Sequence, residues 1–210
     1  MMKYGIMLIS IFMLANPALA DLFFEFMEYD PDQVDLVWTV VPDGSGPAAA
    51  EARCPDGSFW DRDLRLRPWF TIWGDPGGPQ SLPAGFPAED IWLVSESGGL
   101  VSCAGGSTAD LVDSDGWIVW FSPLMAGGCN DTADPTRLVV VGMIIDSHIP
   151  CWFRSPDISG DLMVNLTDIT LFTEALHGAA QAWRADFNRD DVVNLADIVV
   201  FTQGLGAVCP

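Results

Sequence analysis

Lysine is all but missing from this chain. Of nine basic residues among 210, only Lys3 is a lysine, and 29 acidic residues bring the formal net charge to −20. Proteins that grip nucleic acid or anionic membrane surfaces use clustered basic side chains that displace counterions. This balance excludes both classes of partner. Histidine is nearly as scarce, with His148 and His177 alone. Neither lies in a His-Glu-x-x-His array and no Gly-x-Ser-x-Gly turn occurs, so the commonest metalloprotease and serine-hydrolase signatures are absent. A carboxylate pair would suffice for a glycosidase, but Glu51, Glu89 and Glu96 have no signature around them. The chain reads as non-catalytic.

Long apolar runs are also lacking. The stretch Ile6 to Leu14 falls short of the about 20 residues that span a bilayer, and no second run approaches that length. Lys3 before it and Ala18-Leu19-Ala20 after it complete an export signal. Residues 1–20 are therefore expected to be removed, which takes the −20 to −21 and leaves a secreted protein, extracellular or at the cell surface, with no integral membrane span. Five cysteines in such a chain (Cys54, Cys103, Cys129, Cys151, Cys209) point to disulfides with one thiol left over. About fifteen arrangements leave one thiol unpaired and the sequence does not choose among them; the pairs favoured are Cys151–Cys209, which would clasp the C-terminal region, and Cys103–Cys129, with Cys54 odd.

Residues 21–150 read as β-structure, and Pro150 and Pro156 mark a boundary before residues 151–210. Short runs rich in β-branched and aromatic residues are expected as strands: Val34–Val41, Leu64–Trp73, Asp90–Ser95, Trp117–Ser122 and Arg137–Ile145. Turn residues separate them, as at Asp75-Pro-Gly-Gly-Pro79 and Asp113-Ser-Asp-Gly116. Several short strands with regular turns suggest a sandwich. Trp38, Trp92, Trp117 and Trp120 are expected in its core, while Trp60, Trp69 and Trp73 lie nearer turns and are the candidates for exposure, where a tryptophan can stack on a sugar ring. The segment from Ile91 through Asp113-Ser-Asp-Gly-Trp-Ile-Val-Trp-Phe121 resembles bacterial immunoglobulin-like domains of the invasin or adhesin type, and implies a spacer or adhesive unit.

What the last third holds is a repeat. Asp157, Ser159, Asp161, Asn165 and Asp168 fall at positions 1, 3, 5, 9 and 12 of a twelve-residue loop, and Asp186, Asn188, Asp190, Asn194 and Asp197 repeat the pattern 29 positions on. Oxygen donors so spaced, with the position-7 carbonyls of Met163 and Val192 free to join, are what a hard cation such as calcium requires of an EF-hand-type loop. Leu166, Ile169, Phe172 and Leu176 follow at helical spacing, as do Leu195, Ile198, Phe201 and Leu205. Position 6, which favours glycine because the turn needs φ > 0, is Leu162 in one loop and Asp191 in the other. Aspartate tolerates that turn better than leucine and adds negative charge, so the second loop is expected to bind calcium more tightly. Val164 and Val193, at position 8, are expected to pair across the loops.

This duplicated unit is similar to a dockerin type I domain. The resemblance covers residues 157 to about 206 and rests on the Asp-x-Ser/Asn-x-Asp cores, the Val-Asn-Leu-x-Asp-Ile tracts and the apolar helices. It implies a small all-α domain of two loop–helix motifs over residues 151–210, two calcium ions, and a cohesin-like domain of a scaffold or surface protein as partner. Polysaccharide is the alternative partner. The chain departs from the family pattern at positions 10 and 11, where Leu166-Thr167 and Leu195-Ala196 replace a Ser-Thr pair. A calcium-stabilised segment with no partner is the plainer alternative.

Overall fold

Short apolar segments broken by glycine and proline turns can pair only as short strands, and the chain builds twelve of them among its described residues. The computed structural model describes residues 22–29, 35–48, 51–54, 56–72 and 76–210; the export segment 1–20 and Trp73 lie outside these. In chain order the strands are β1 (Leu22–Tyr29), β2 (Leu36–Thr39), β3 (Leu64–Ile72), β4 (Gln80–Ser81), β5 (Ile91–Ser95), β6 (Leu100–Ser102), β7 (Leu111–Val112), β8 (Ile118–Trp120), β9 (Ala126–Gly128), β10 (Thr136–Val140), β11 (Met143–Ile149) and β12 (Cys151–Arg154). Two helices follow, α1 (Leu166–Leu176) and α2 (Leu195–Gln203).

The strands do not form an immunoglobulin-like sandwich. They divide into a five-stranded sheet in the order β1-β3-β8-β7 with β4 beside β3, a three-stranded sheet β11-β10-β5, and the pairs β12-β2 and β6-β9. The β12-β2 pair is parallel, whereas an immunoglobulin sandwich is two antiparallel sheets. The run expected as one strand from Arg137 to Ile145 is two. Val141 and Gly142 adopt left-handed φ of 50° and 75°, which turns the chain back so that β10 pairs with β11. β10 also pairs with β5 and is buried along its whole length, Thr136 and Arg137 included.

Leu36, Leu64, Leu66, Ile91, Leu93 and Phe153 are among the residues that fill the main core. Trp38 and Trp120 lie there as expected. Trp60 is buried too, against expectation, while Trp92 and Trp117 are only half-buried. Phe59, Arg53 and Ala52 explain the first reversal: Trp60 donates its backbone N–H to the Ala52 carbonyl and turns inward, and its neighbour Phe59 faces out under the Arg53 guanidinium.

The expected C-terminal all-α domain of two EF-hand-type, dockerin-like loop–helix motifs is likewise not formed. The molecule is mostly β, and its two helices are short, at 11 and 9 residues. The segment assigned to that domain opens with a strand, β12, that belongs to the β part through β2. Its apolar side chains do not close on themselves. Ile158, Val164, Phe172, Phe187 and Phe201 form a second core that includes Val41 from the β part, because helices of two to three turns bury too little alone to be stable. The Cys103–Cys209 disulfide ties the chain's end to the turn after β6. This replaces the expected pairs Cys151–Cys209 and Cys103–Cys129. Cys151 is enclosed in strand β12, inside the main core, and Cys54, Cys129 and Cys151 are free.

Candidate metal centre

Each acidic loop is organised around its first and last aspartates. Asp157 and Asp168 are fully buried, as is Asp197, and Asp186 nearly so. A buried carboxylate has to be met by donors or cations, and here the loop backbone supplies donors. Asp157 Oδ1 accepts from the Ser159 hydroxyl at 3.1 Å, the Gly160 N–H at 2.9 Å and the Asp161 N–H at 3.2 Å, while Oδ2 accepts from the Leu162 N–H at 2.8 Å. Asp168 Oδ1 accepts from the Ser159 N–H and Oδ2 from the Asn165 N–H, both at 2.9 Å. In the second loop Asp186 accepts from the N–H groups of Asp190 and Asp191, each at 3.1 Å. Asp197 accepts from Phe187, Asn188 and Asn194.

The repeat is therefore geometric as well as sequential. Position 4 is left-handed in both loops (Gly160 φ 73°, Arg189 φ 59°), and so is position 6 (Leu162 φ 66°, Asp191 φ 63°). These two turns wrap the loop around its own carboxylates. Position 9 does a second job. Asn165 and Asn194 cap α1 and α2, with Asp168 and Asp197 completing a capping box in each. Asn165 also donates to Asp161, at 3.1 Å to Oδ2, and to the Met163 carbonyl at 3.3 Å; Asn194 does the same to Asp190 and Val192.

Carboxylate oxygens of Asp157, Asp161 and Asp168 all lie within 4.8 Å of one another, and so do those of Asp186, Asp190 and Asp197. Ser159 and Asn188 border these groups through hydrogen bonds to Asp157 and Asp190. The three aspartates of each loop are thus gathered together, with Asn165 and Asn194 hydrogen-bonded to the position-5 aspartate and Met163 and Val192 beside it through their N–H groups. The donor set is oxygen only, three carboxylates to a site, and fits a hard divalent cation. Burial, above all, raises the Asp157 carboxyl above its ordinary 3.8, against the pull of the Leu162 N–H and the Ser159 hydroxyl. Burial also raises Asp186, opposed chiefly by Arg154. Clustered anions thus stand partly desolvated in each loop, and a cation would offset that cost.

The loops do not pair with each other through Val164 and Val193. The first loop instead pairs with the chain's end: Met163 bridges Val208, Val164 donates to the Ala207 carbonyl and accepts from Gly206, and Cys209 donates to Leu162. Val193 packs into the second core.

Two contacts to the β part were not legible in the repeat. Asp157 lies against strand β9, where a Cβ on Gly127 would collide with Asp157 Oδ2 and where Gly128 donates to the Asp157 carbonyl. Arg154, at the end of β12, pairs with Asp186 at 3.4 Å and donates to its carbonyl. Burial lowers the Arg154 pKa, with Asp186 the main opposing influence. A glycine pair before the loops and a lone arginine three residues ahead of Asp157 are the only traces of these contacts in the sequence. No helix among the described residues is long and apolar enough to cross a membrane. Comparison with known proteins returns nothing: no family model, no curated protein and no solved structure matches the chain.

Proposed function

We propose that the protein is exported, is not an enzyme, and binds two calcium ions through its paired acidic loops. Asp157, Ser159, Asp161, the Met163 carbonyl, Asn165 and Asp168 would hold one ion. Asp186, Asn188, Asp190, the Val192 carbonyl, Asn194 and Asp197 would hold the other. The observation that carries this reading is the recurrence, 29 residues apart, of the same backbone wrap and the same three-carboxylate cluster. Calcium would offset the charge of the clustered carboxylates, of which Asp186 already faces Arg154, and so would order each loop and the helix start it caps.

Calcium-dependent attachment to a protein partner follows as the role of these ordered loops. Leu166 and Leu195, the first residues of the two helices, are 78% and 76% exposed. Large apolar side chains so exposed at matching points of both repeats suit a docking surface. A cohesin-type domain of a scaffold or surface protein is the partner the sequence resemblance implies. Polysaccharide is a second reading, favoured by one observation on the five-stranded sheet. There Phe26, 43% exposed, stacks on Trp69 at 5.7 Å, and Arg67 covers Trp69 and Trp117.

Native mass spectrometry in calcium tests the metal reading. The expected masses are the protein with two ions, and with one ion in each of Asp161→Asn and Asp190→Asn. A chain that takes up no calcium, or whose uptake ignores both substitutions, would overturn it. Retardation in polysaccharide gels that is lost in Trp69→Ala would favour the second reading of the partner.

A further inference from the structure

The two loops, alike in wrap, differ in what stands behind their first carboxylate. Among the described residues, the Asp157 carboxylate accepts from three N–H groups and one hydroxyl and lies against Gly127. Asp186 is met by a guanidinium, Arg154, whose side chain is only 12% exposed. Arg184 and Arg189 flank the same loop, two residues before and three after Asp186. The Nε atoms of Arg154 and Arg184 and the Nη1 of Arg189 are buried without a hydrogen-bond partner. Shifted back by the repeat of 29, the places of Arg184 and Arg189 hold Ser155 and Gly160. The second loop therefore has a cationic wall, Arg154 against Asp186 with Arg189 acting on Arg154, and no ion pair of this kind is seen at Asp157 among the described residues.

We propose that Arg154, backed by Arg189, is a fixed counter-ion of the second loop that lowers its calcium affinity, so that calcium fills the first loop before the second. The proposal rests on the calcium reading above. A dication entering the second loop must share the Asp186 carboxylate with Arg154 and face its charge at short range, where burial limits screening. Arg154 cannot readily withdraw, because β12 is held by parallel pairing to β2 and its own carbonyl accepts from Val40. The extra negative charge of Asp191 does not offset this wall: its carboxylate stands outside the three-carboxylate cluster, and what Asp191 gives the site is a backbone N–H to Asp186. The first loop meets calcium with three carboxylates, and no guanidinium is among the groups that act on Asp157 most strongly. The order of affinity is thus the reverse of the one that loop composition alone suggests. Without calcium, Arg154 keeps the second loop's entry carboxylate in place, and the first loop has no such stand-in.

Calorimetric titration of the full chain with calcium tests this. The expected wild-type isotherm has two unequal sites. Asp161→Asn should remove the tighter one and Asp190→Asn the weaker. Arg154→Gln should tighten the weaker site by roughly tenfold, as relief of a nearby like charge does, and leave the tighter within about twofold. Arg189→Gln, at a partly exposed residue, should shift the weaker site the same way by a few-fold and stands in if Arg154→Gln does not fold. Two sites with the tighter lost in Asp190→Asn, or a weaker site unmoved by both arginine substitutions, would overturn the inference while the calcium reading stands. No calcium uptake at all would overturn both.

Discussion

Leu162 shows how one residue carries the tension between sequence and geometry. Its place in the loop demands a left-handed turn, and leucine takes it at φ 66°, at a cost of about 1–2 kcal/mol for a side chain with a Cβ. Leu162→Gly relieves that cost but gives the unfolded chain more freedom, worth about 0.5–1 kcal/mol. The net expectation is a gain of about 0.5–1 kcal/mol, read from urea midpoints. The demand for φ > 0 could be read from loop position alone. That leucine would meet it rather than deform the loop could not, because the Leu162 N–H bond to Asp157 that holds it there is tertiary detail. The free thiols permit a second prediction. Burial pushes the Cys129 thiol up to about 11 and the Cys151 thiol up to about 12. Because these folded values lie above the ordinary 9.0, the stability they contribute is fully present below that value and is lost as pH rises through about 11 to 12. A thiol reagent at neutral pH should therefore reach only half-buried Cys54 in the native protein. All three free cysteines should react in denaturant, and native reaction of more than one would contradict this packing.

At the scale of elements, the loops are fixed by strands that the repeat does not mention. Gly127 in β9 leaves the space that Asp157 occupies, so Gly127→Ala must push the first loop off the sheet. The expected loss is about 1–3 kcal/mol, as for overpacking elsewhere, with calcium binding weakened at the first loop and little changed at the second. Thermal melts and calcium titration of the variant check both. The short strands themselves were readable from β-branched runs and turn residues, with β5 and β8 close to where periodicity puts them. Their pairing was not. The parallel β12-β2 contact joins residues more than a hundred apart, and no local pattern encodes such a pair. The same non-local contact explains why the C-terminal region reads as a domain of its own: its oxygen-bearing side chains and helix periodicity are local signals, whereas Gly127 and Val41 are contributed from outside it and Arg154 sits on a strand that pairs with β2.

At the scale of the molecule, the β part and the acidic loops are one folded body. A shared second core, the Arg154–Asp186 pair and the Cys103–Cys209 disulfide all cross between them. The disulfide closes a separation of 106 residues, which in the chain-entropy view stabilises by about 4–5 kcal/mol. Cys103→Ser should lower the melting temperature accordingly and loosen the end of the chain that pairs with Met163 and Val164. Calcium should act on the whole in the same way, since each ion bound only to the folded state adds about 2.7 kcal/mol at a hundredfold excess over its Kd. The most direct test is thermal unfolding of the purified chain in calcium and in chelator, followed by tryptophan fluorescence for the strands and by far-ultraviolet dichroism for the helices. Two bound ions predict a single transition in calcium, seen at one temperature by both probes and well above the chelated value. A melting temperature indifferent to chelator would contradict the account.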